Sequence, residues 1–389
     1  MLPSEANIPD RSQPIRIVKC RTPRAVDVFC DFVYKLRGSE PRWVPPLRRD
    51  QRTLLDRLKH PFHDHAQVEY FLAKRGERIV GRIAAIENFA HNEVHNERIG
   101  FFGFLEAEDD AEVFARLLAA AERWAKARGL TALRGPCSFS TNEECGALVG
   151  GFDIEPILMM GYHHRCYSAN IEAAGYGKAE DLLCFWVDRY TDTERLMRMA
   201  RSMRQRIERS GRTFTTRPLD KKNFEAEVQL VQKIYNAAWE KNWGFVPMTE
   251  KEIDFLAKEL KPIATPELIR FALLDGEPVG LVLGLLNYNE VLKFMRGRLG
   301  PKEIAMMLLL KSRIRSARMM MLGVLPEYRR LGIDILLIEE FGYACEKLNI
   351  WGTDLSWILE RNTAITKVII ACGGREWKRY RLYEKSLLG

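Results

Sequence analysis

The stretch GVLPEYRRLGIDILLIEE, residues 323–340, constrains this chain more than any other. An apolar run, Met319 to Val324, breaks at Pro326. A basic pair follows, then Leu331-Gly332-Ile333 and a helical apolar period. The pattern predicts a strand, a tight turn and a helix N-terminus. Such a turn aims unpaired backbone N–H groups at one point, and the helix dipole adds partial positive charge there. Gly332 lets a ligand approach the backbone, and Arg329 and Arg330 offer charge-assisted hydrogen bonds. Together these features suit a diphosphate.

The order of parts resembles the V-x-P-x-x-R-x-x-G-x-G/A loop of the GNAT acyltransferase superfamily, which grips the pyrophosphate of coenzyme A. Here it reads Val324, Pro326, Arg329 and Gly332, with Asp334 where the family usually has Gly or Ala. A carboxylate beside a pyrophosphate is repulsive unless it turns outward. R-x-x-G alone is common, and an ordinary strand–turn–helix would carry it too. The surroundings follow the family's order. Leu268 to Leu286 alternates and breaks at Asp275-Gly276-Glu277-Pro278, which reads as a hairpin. After the loop helix comes WGTDLSWILERN, a strand ending at Asn362, which is placed to cap the next helix. That helix stops at Gly373-Gly374, and a last strand lies near Trp377 to Tyr383. The resemblance implies acyl-CoA as co-substrate, held by Leu322, Val324, Arg329, Arg330, Leu331, Gly332, Ile333, Asp334 and Asn362.

The front half reads as a worn copy of the back half. Val68 to Lys74, Gly76-Glu77 and Ile79 to Ile86 form a predicted hairpin, and Ile99 to Leu105 a strand. Glu112 to Arg128 is a helix closed by Gly129, followed by strands at Thr131 to Arg134 and Asp181 to Val187. The expected fold class is α/β (α+β): two tandem GNAT-like units, each a mixed, mostly antiparallel sheet flanked by helices. A chain of 389 residues has room for both. The expected boundaries are 15–189, a basic helical junction at 190–220, and 221–389. After Phe104 the front unit has no Arg-x-x-Gly loop; Glu106, Glu108, Asp109 and Asp110 stand there and would repel phosphate. That unit is expected to shape the substrate side instead. Its insertion, RGPCSFSTNEECGALVGGFDIEP (134–156), is anchored by Phe139, Cys145, Leu148 and Phe152 and offers Asn142, Glu143 and Glu144. His163 and His164 follow; strand neighbours point to opposite sides, so no shared metal is expected.

Attack of an amine on a thioester needs a neutral amine, hence a base. The oxyanion needs donors, expected from backbone N–H groups at Leu322 to Val324 on a splayed strand. The thiolate needs a proton. In the family a tyrosine seven residues after the capping Asn often gives it; here that position is Ile369, which leaves Tyr380 or Tyr383 as replacements. Glu360 is the leading base candidate in the second unit, with Glu143, Glu144 and His163 as alternatives from the front. A structural role competes for each of the front-unit candidates. A Cys137 or Cys145 acyl-enzyme is disfavoured, because neither has a sequence neighbour that lowers its pKa.

Over residues 15–387, RGPCSFSTNEECG, NWGFVP (242–247), SWILERN and the closing YRLYEK resemble one bacterial GNAT-like family, of the YghO type, that includes the bacterial ceramide synthases. The resemblance implies an N-acyltransferase joining an acyl-CoA to the amine of a sphingoid base, a lipid-like substrate. Asn142, Cys145, Trp243 and Phe245 are expected on the substrate side, and Trp239, Trp243, Phe245 and Met248 form an apolar cluster suited to a long-chain pocket. Two other functions stay open: an N-acetyltransferase for a small amine or aminoacyl group, and a non-catalytic acyl-CoA-binding protein.

The net charge is +8, and arginine crowds the junction from Arg189 to Arg217. Leu196, Ala200, Met203 and Ile207 share one face of that helix. It reads either as packed by this stripe or as drawn to an anionic membrane surface. Nucleic acid is a weaker partner, because no nucleic-acid-binding motif accompanies the charge. MMLLL and MMML, between Ala305 and Leu322, read as a buried helix followed by the central strand; the other reading is a helix that lines an acyl channel or touches lipid. No run of eighteen apolar residues and no secretory h-region occur, so a cytoplasmic protein is expected, with the inner membrane face as the station of a lipid-acylating member. The eight cysteines form no C-x-x-C pair and read as reduced thiols; no structural zinc is expected. Residues 1–14 read as a loose arm.

Overall fold

The computed structural model describes residues 13–388, so the expected arm lies almost wholly outside the described residues. Thirteen strands form one sheet. The front half supplies β1 (Ile15–Lys19), β2 (Ala66–Arg75), β3 (Arg78–Asn88), β4 (Ile99–Ala107), β5 (Ala132–Gly135), β6 (Ala147–Gly150) and β7 (Gly177–Asp188). The back half supplies β8 (Phe214–Pro218), β9 (Ile269–Leu274), β10 (Glu277–Leu286), β11 (Ser316–Val324), β12 (Gly352–Leu359) and β13 (Arg375–Ser386). Helices α1 (Pro23–Leu36), α2 (Arg48–Leu55), α3 (Phe89–His95), α4 (Ala111–Lys126) and α5 (Cys166–Ala173) belong to the front. The junction helix is α6 (Glu194–Arg209), followed by α7 (Phe224–Trp239), α8 (Glu250–Leu260), α9 (Asn289–Met295), α10 (Pro301–Leu310), α11 (Ile333–Lys347) and α12 (Thr363–Ala371).

The unit is built twice. The β9–β10 hairpin turns on Asp275 (φ 54) and Gly276 (φ 87), the left-handed pair that matches strand twist. In each half a hairpin leads to an antiparallel strand, a helix and a parallel strand. The two parallel pairs are β4 with β5 and β11 with β12; the remaining ladders are antiparallel. Helix α11 packs Ile333, Leu336, Leu337 and Phe341 onto its side of the sheet. Gly284 of β10 lies under Phe341, where a Cβ would stand 2.3 Å from the ring.

The closing strands are exchanged. The order runs β1-β2-β3-β4-β5-β13-β7-β12-β11-β10-β9-β8. The chain's last strand therefore completes the front sheet, and the front unit's last strand completes the back one. β7 and β13 pair with each other at the centre. There the fully buried Asp181 is held by Arg381 at 2.8 Å, Arg379 at 3.2 Å and Lys178 at 3.1 Å.

One expectation fails. The helix that follows Gly300 is not buried: no side chain of α10 is, and Leu308 and Leu309 stay 71% and 75% exposed. A short apolar run looks the same whether its neighbour is protein or another apolar phase, so periodicity did not separate the two.

Residues 221–389 made alone would lack β5, β6 and β7 and leave one side of β12 and both sides of β13 without a strand. Expressed so, they are expected to aggregate; co-expression with residues 1–220 is expected to restore a soluble complex, read by size-exclusion chromatography. A soluble, monomeric back half on its own would count against the exchange.

Candidate active site

The site begins with a parting of strands. β11 and β12 pair only from Ser316↔Gly352 to Met319↔Leu355. Both then carry a bulge. On β11, Leu283 faces Met321 and Gly284 faces Met319, so Met320 is extra. On β12 one extra residue falls between Leu355 and Ile358, opposite Phe185 and Leu183. Bulges bend a strand and sharpen its twist, so the two strands splay. Beyond Met319 the outer edge of β11 has no β12 ladder, at the place where oxyanion donors are expected.

The gap opens on a cleft with about 1000 Å³ of empty space, part of it open to solvent. Met320 and Met321 form one wall and Ser356, Trp357 and Leu359 the other. Trp239 at the end of α7 and Trp243, Phe245 and Met248 after it close one side. Thr141, Asn142, Glu143 and Cys145 of the front insertion form the rim. Tyr235 Oη donates to Asn142 Oδ1 at 2.6 Å, which ties this rim to α7. Trp243 lies between the guanidinium groups of Arg134 and Arg361, 4.9 and 5.2 Å from its ring centre.

The Glu143 N–H donates to the Ser140 carbonyl at 3.2 Å, and its carboxyl lies on the cleft with no hydrogen-bond partner among the described residues. Burial, then the charges of Glu252 and Glu144, push its carboxyl up to about 8. Enclosure and Glu106 push Glu144 up to about 7, although its side chain keeps 48% of its surface accessible and water there opposes the shift. His163 accepts from the Leu148 N–H at 3.3 Å, and its Nε2 lies 3.8 Å from Glu144. Burial holds it down to about 4, so it is neutral near pH 7. His164 points the other way and is half exposed. The Cys145 and Cys137 sulfurs lie 3.6 Å apart, and this hydrogen bond together with burial raises Cys137, away from a thiolate.

Other candidates lie elsewhere. Glu360 is at the surface in an ion pair with Lys178, 3.9 Å from Arg379, and is not on the cleft wall. Tyr380 is fully buried and donates to the Gly161 carbonyl at 2.9 Å, and Tyr383 donates to Glu172 at 2.9 Å. Asn362 heads α12 but makes no side-chain cap. Its backbone (φ −81, ψ 64) is not the extended form that lets a cap side chain reach back to the first turn.

At the predicted diphosphate loop, Gly332 takes φ 74 at the head of α11, after a tight turn over Pro326–Leu331. Val324 and Ile333 are buried; Leu322 and Leu331 are half-buried. Arg330 is exposed, while Arg329 donates to the Ala238 carbonyl at 2.6 Å. The Asp334 carboxyl folds back onto the N–H groups of its own residue and Ile335, and burial raises its pKa. The repulsion expected from its charge is thereby reduced, and the N–H groups of Gly332 and Ile333 remain for a ligand. Met203 of α6 lies over Gly332; a Cβ there would stand 2.6 Å from its sulfur, at the movable end of the side chain. These residues fit a diphosphate with fewer helix N–H groups than an uncapped turn would offer. Helix α6 packs along α11 through Leu196, Ala200, Met203 and Ile207, with Arg204 and Glu339 at 2.6 Å. Its apolar stripe is thus used inside the protein.

The front unit repeats the splay and fills it. β4 pairs with β5 only from Ile99 to Phe101, with a bulge near Phe104 (φ 50). Cys137 N–H donates to the Phe102 carbonyl at 2.7 Å, and Phe104 N–H to Ser138 Oγ at 3.3 Å. A Cβ on Gly103 would come within 2.1 Å of the Cys137 carbonyl oxygen. The chain itself occupies the slot.

Several cleft groups escape sequence reading. Buried Arg318 donates to Ser356 Oγ at 3.1 Å and to the Leu158 and Met159 carbonyls at 2.9 and 3.2 Å. Ser356 donates to buried Asp354, which also accepts from Trp377 Nε1 at 2.5 Å. The signal was present: Asp354 and Ser356 stand two apart, on one face of an otherwise apolar strand. Trp357, on the cleft wall, has a buried indole N–H without an acceptor. Among the described residues no group of three or more His, Cys, Asp or Glu side chains is placed to hold a metal ion.

No family model matches the chain. It is 36% identical over 365 residues to Protein YghO of Escherichia coli (strain K12), covering 92% of each chain. It is also 36% identical over 383 residues to the bacterial ceramide synthase of Caulobacter vibrioides (strain NA1000 / CB15N), covering 96% of this chain and 98% of that protein. Among solved structures it resembles a tandem GNAT protein from the clavulanic acid biosynthesis pathway, with TM-score 0.53, 14% identity and coverage of 97% and 99%. A GCN5-related N-acetyltransferase from Sphaerobacter thermophilus gives TM-score 0.50, 12% identity and 97% coverage of both chains. At these identities the likeness is one of fold.

Glu143 ionises near 4.5 when unfolded and near 8 when folded. The folded state therefore holds an extra proton between these values, and the stability it brings is full below 4.5 and lost as pH rises to about 8. The melting temperature of Glu143→Gln minus that of the wild type is expected to grow from pH 5 to pH 8.5, by differential scanning fluorimetry. A difference independent of pH would contradict the shift.

Proposed function

This chain belongs to the family of YghO and the bacterial ceramide synthase and is an acyltransferase of tandem GNAT architecture, and we propose that it joins the acyl group of an acyl-CoA to the amine of a sphingoid-type long-chain base. The observation that carries this reading is the cleft at the β11–β12 splay, large and mostly apolar, with a single unpaired carboxyl on its rim. Met320, Met321, Trp239, Phe245, Leu256 and Leu359 suit a long chain better than a small polar amine. Its place of work would be the cytoplasmic face of a membrane.

In this reading Gly332, Ile333, Arg329 and Arg330 hold the diphosphate, and the co-substrate supplies the thioester. Glu143 takes the proton of the attacking amine. The new bond is C–N and the broken one C–S. The oxyanion meets the edge N–H groups of β11. Glu143 then returns its proton to the sulfur. A carboxyl near 8 is matched to an ordinary thiol, about 8.5, so neither transfer is steep. This assigns one residue both roles, where Ile369 stands in place of the family's acid.

Thiol release is the test. Palmitoyl-CoA with a sphingoid base is expected to release thiol, and acetyl-CoA with small amines to release little. The reverse pattern would overturn the reading. Rate is expected to rise as pH passes about 8, as Glu143 loses its proton. Glu143→Gln should lower it by about 10²–10⁴-fold and flatten that rise, while Glu360→Gln should leave it unchanged. Gly332→Asp should abolish acyl-CoA binding, measured by calorimetry; retained binding would displace the diphosphate site.

A further inference from the structure

We propose that α10 and the end of α9 form a docking face for an anionic lipid bilayer, with α10 lying at the headgroup–acyl boundary. Ile304 to Leu310 is seven consecutive apolar residues, and none of them is buried. Phe294 is 57% exposed beside them, with Leu308 and Leu309 more exposed still. A patch of this kind on a folded chain marks an interaction surface.

The charge around it selects the occupant. From 293 to 315 there are seven Lys or Arg residues and one acid, Glu303. That acid is turned inward, accepting from the Gly300 N–H at 3.0 Å. Arg296, Arg298 and Lys302 precede the apolar run, and Lys311 and Arg313 follow it, all exposed. Apolar side chains at the centre with cations of one sign at both ends match an anionic bilayer, where the chains enter the acyl region and the cations reach the headgroups. Helix α6 carries as much positive charge, but its apolar stripe is taken by α11.

The face is joined to the cleft by one segment. Lys293 pairs with Glu155 at 3.0 Å, and Asn289 donates to the Pro156 carbonyl at 2.8 Å. Leu158 N–H donates to Asn287 at 3.1 Å, and the next residue, Met159, lines the cleft. A docked α10 thus stands at one end of 155–159 and the cleft at the other. For a lipid amine this is a short transfer; that last step rests on the function proposed above, while the docking does not.

The experiment is co-sedimentation of the full chain, without substrate, with vesicles of phosphatidylcholine alone and of phosphatidylcholine with about a third phosphatidylglycerol. Binding to the anionic vesicles is expected. Leu308→Glu with Leu309→Glu should weaken it by about ten-fold or more, and Lys311→Glu should weaken it by about five-fold or more. Both variants should keep the wild-type melting temperature and turnover of detergent-dispersed substrate. No vesicle binding, equal binding to both vesicles, or unchanged partition of the double variant would overturn the proposal. So would a wild-type dimer that the double variant splits while vesicle binding persists, measured by light scattering. Vesicle binding without thiol release would overturn the proposed reaction and leave the docking face standing.

Discussion

The pairing of β13 with β7 is the contact on which the rest of this molecule depends. Each strand closes the half it does not belong to, so neither sheet is complete without the other. Asp181 sits at the seam, fully buried among Arg379, Arg381 and Lys178. A buried charge is costly unless every partner is in place, and a one-residue slip would turn Asp181 to the opposite face. The seam therefore specifies register more than it adds stability. Its consequence is positional. The front insertion is carried across to the back splay, and the cleft becomes a joint product of both halves, with Glu143 from one and Met320 and Trp357 from the other.

Much of this was legible in the chain. The hairpin turning at Asp275-Gly276, the strand–turn–helix at Gly332 and the repeat of the unit are local patterns, and local patterns survive into the fold. The strand exchange was not legible, because a closing strand has the same alternation whichever neighbour it joins. Nearness to the end of β12 makes Glu360 a base candidate in the sequence, but past a strand end the direction of a side chain is set by its partner, here Lys178. Glu143 was one of several acids in the insertion; only the fold separates it from Glu144 by placing it on the cleft wall. The two basic, greasy helices show the same limit. For α6 the apolar stripe is buried against α11, whereas α10 packs Met306, Met307 and Leu310 only in part and leaves Ile304, Leu308 and Leu309 exposed, a difference that composition does not carry.

The two splays differ in what they leave unpaired. Parting two strands frees backbone N–H and C=O groups, and buried groups of that kind must find partners. In the front unit the chain supplies them: Cys137 reaches the Phe102 carbonyl, Ser138 takes the Phe104 N–H, and Gly103 leaves room for the approach. That slot is satisfied and closed, and of the acids beside it Glu106, Glu108 and Asp110 are paired with Arg37, Arg78 and Arg75. In the back unit Leu158 to Met160 meet the Arg318 and Ser356 side chains, and among the described residues no backbone ladder replaces β12 beyond Met319. The edge of β11 past Met319 lacks its β12 ladder, and the Glu143 carboxyl lies on the cleft without a partner among the described residues, while the Trp357 indole N–H is buried unpaired behind the wall. A fold that satisfies one splay and leaves its twin open keeps, in the open one, an unladdered strand edge and a carboxyl on the same cleft, the carboxyl carried there by the insertion that fills the satisfied twin.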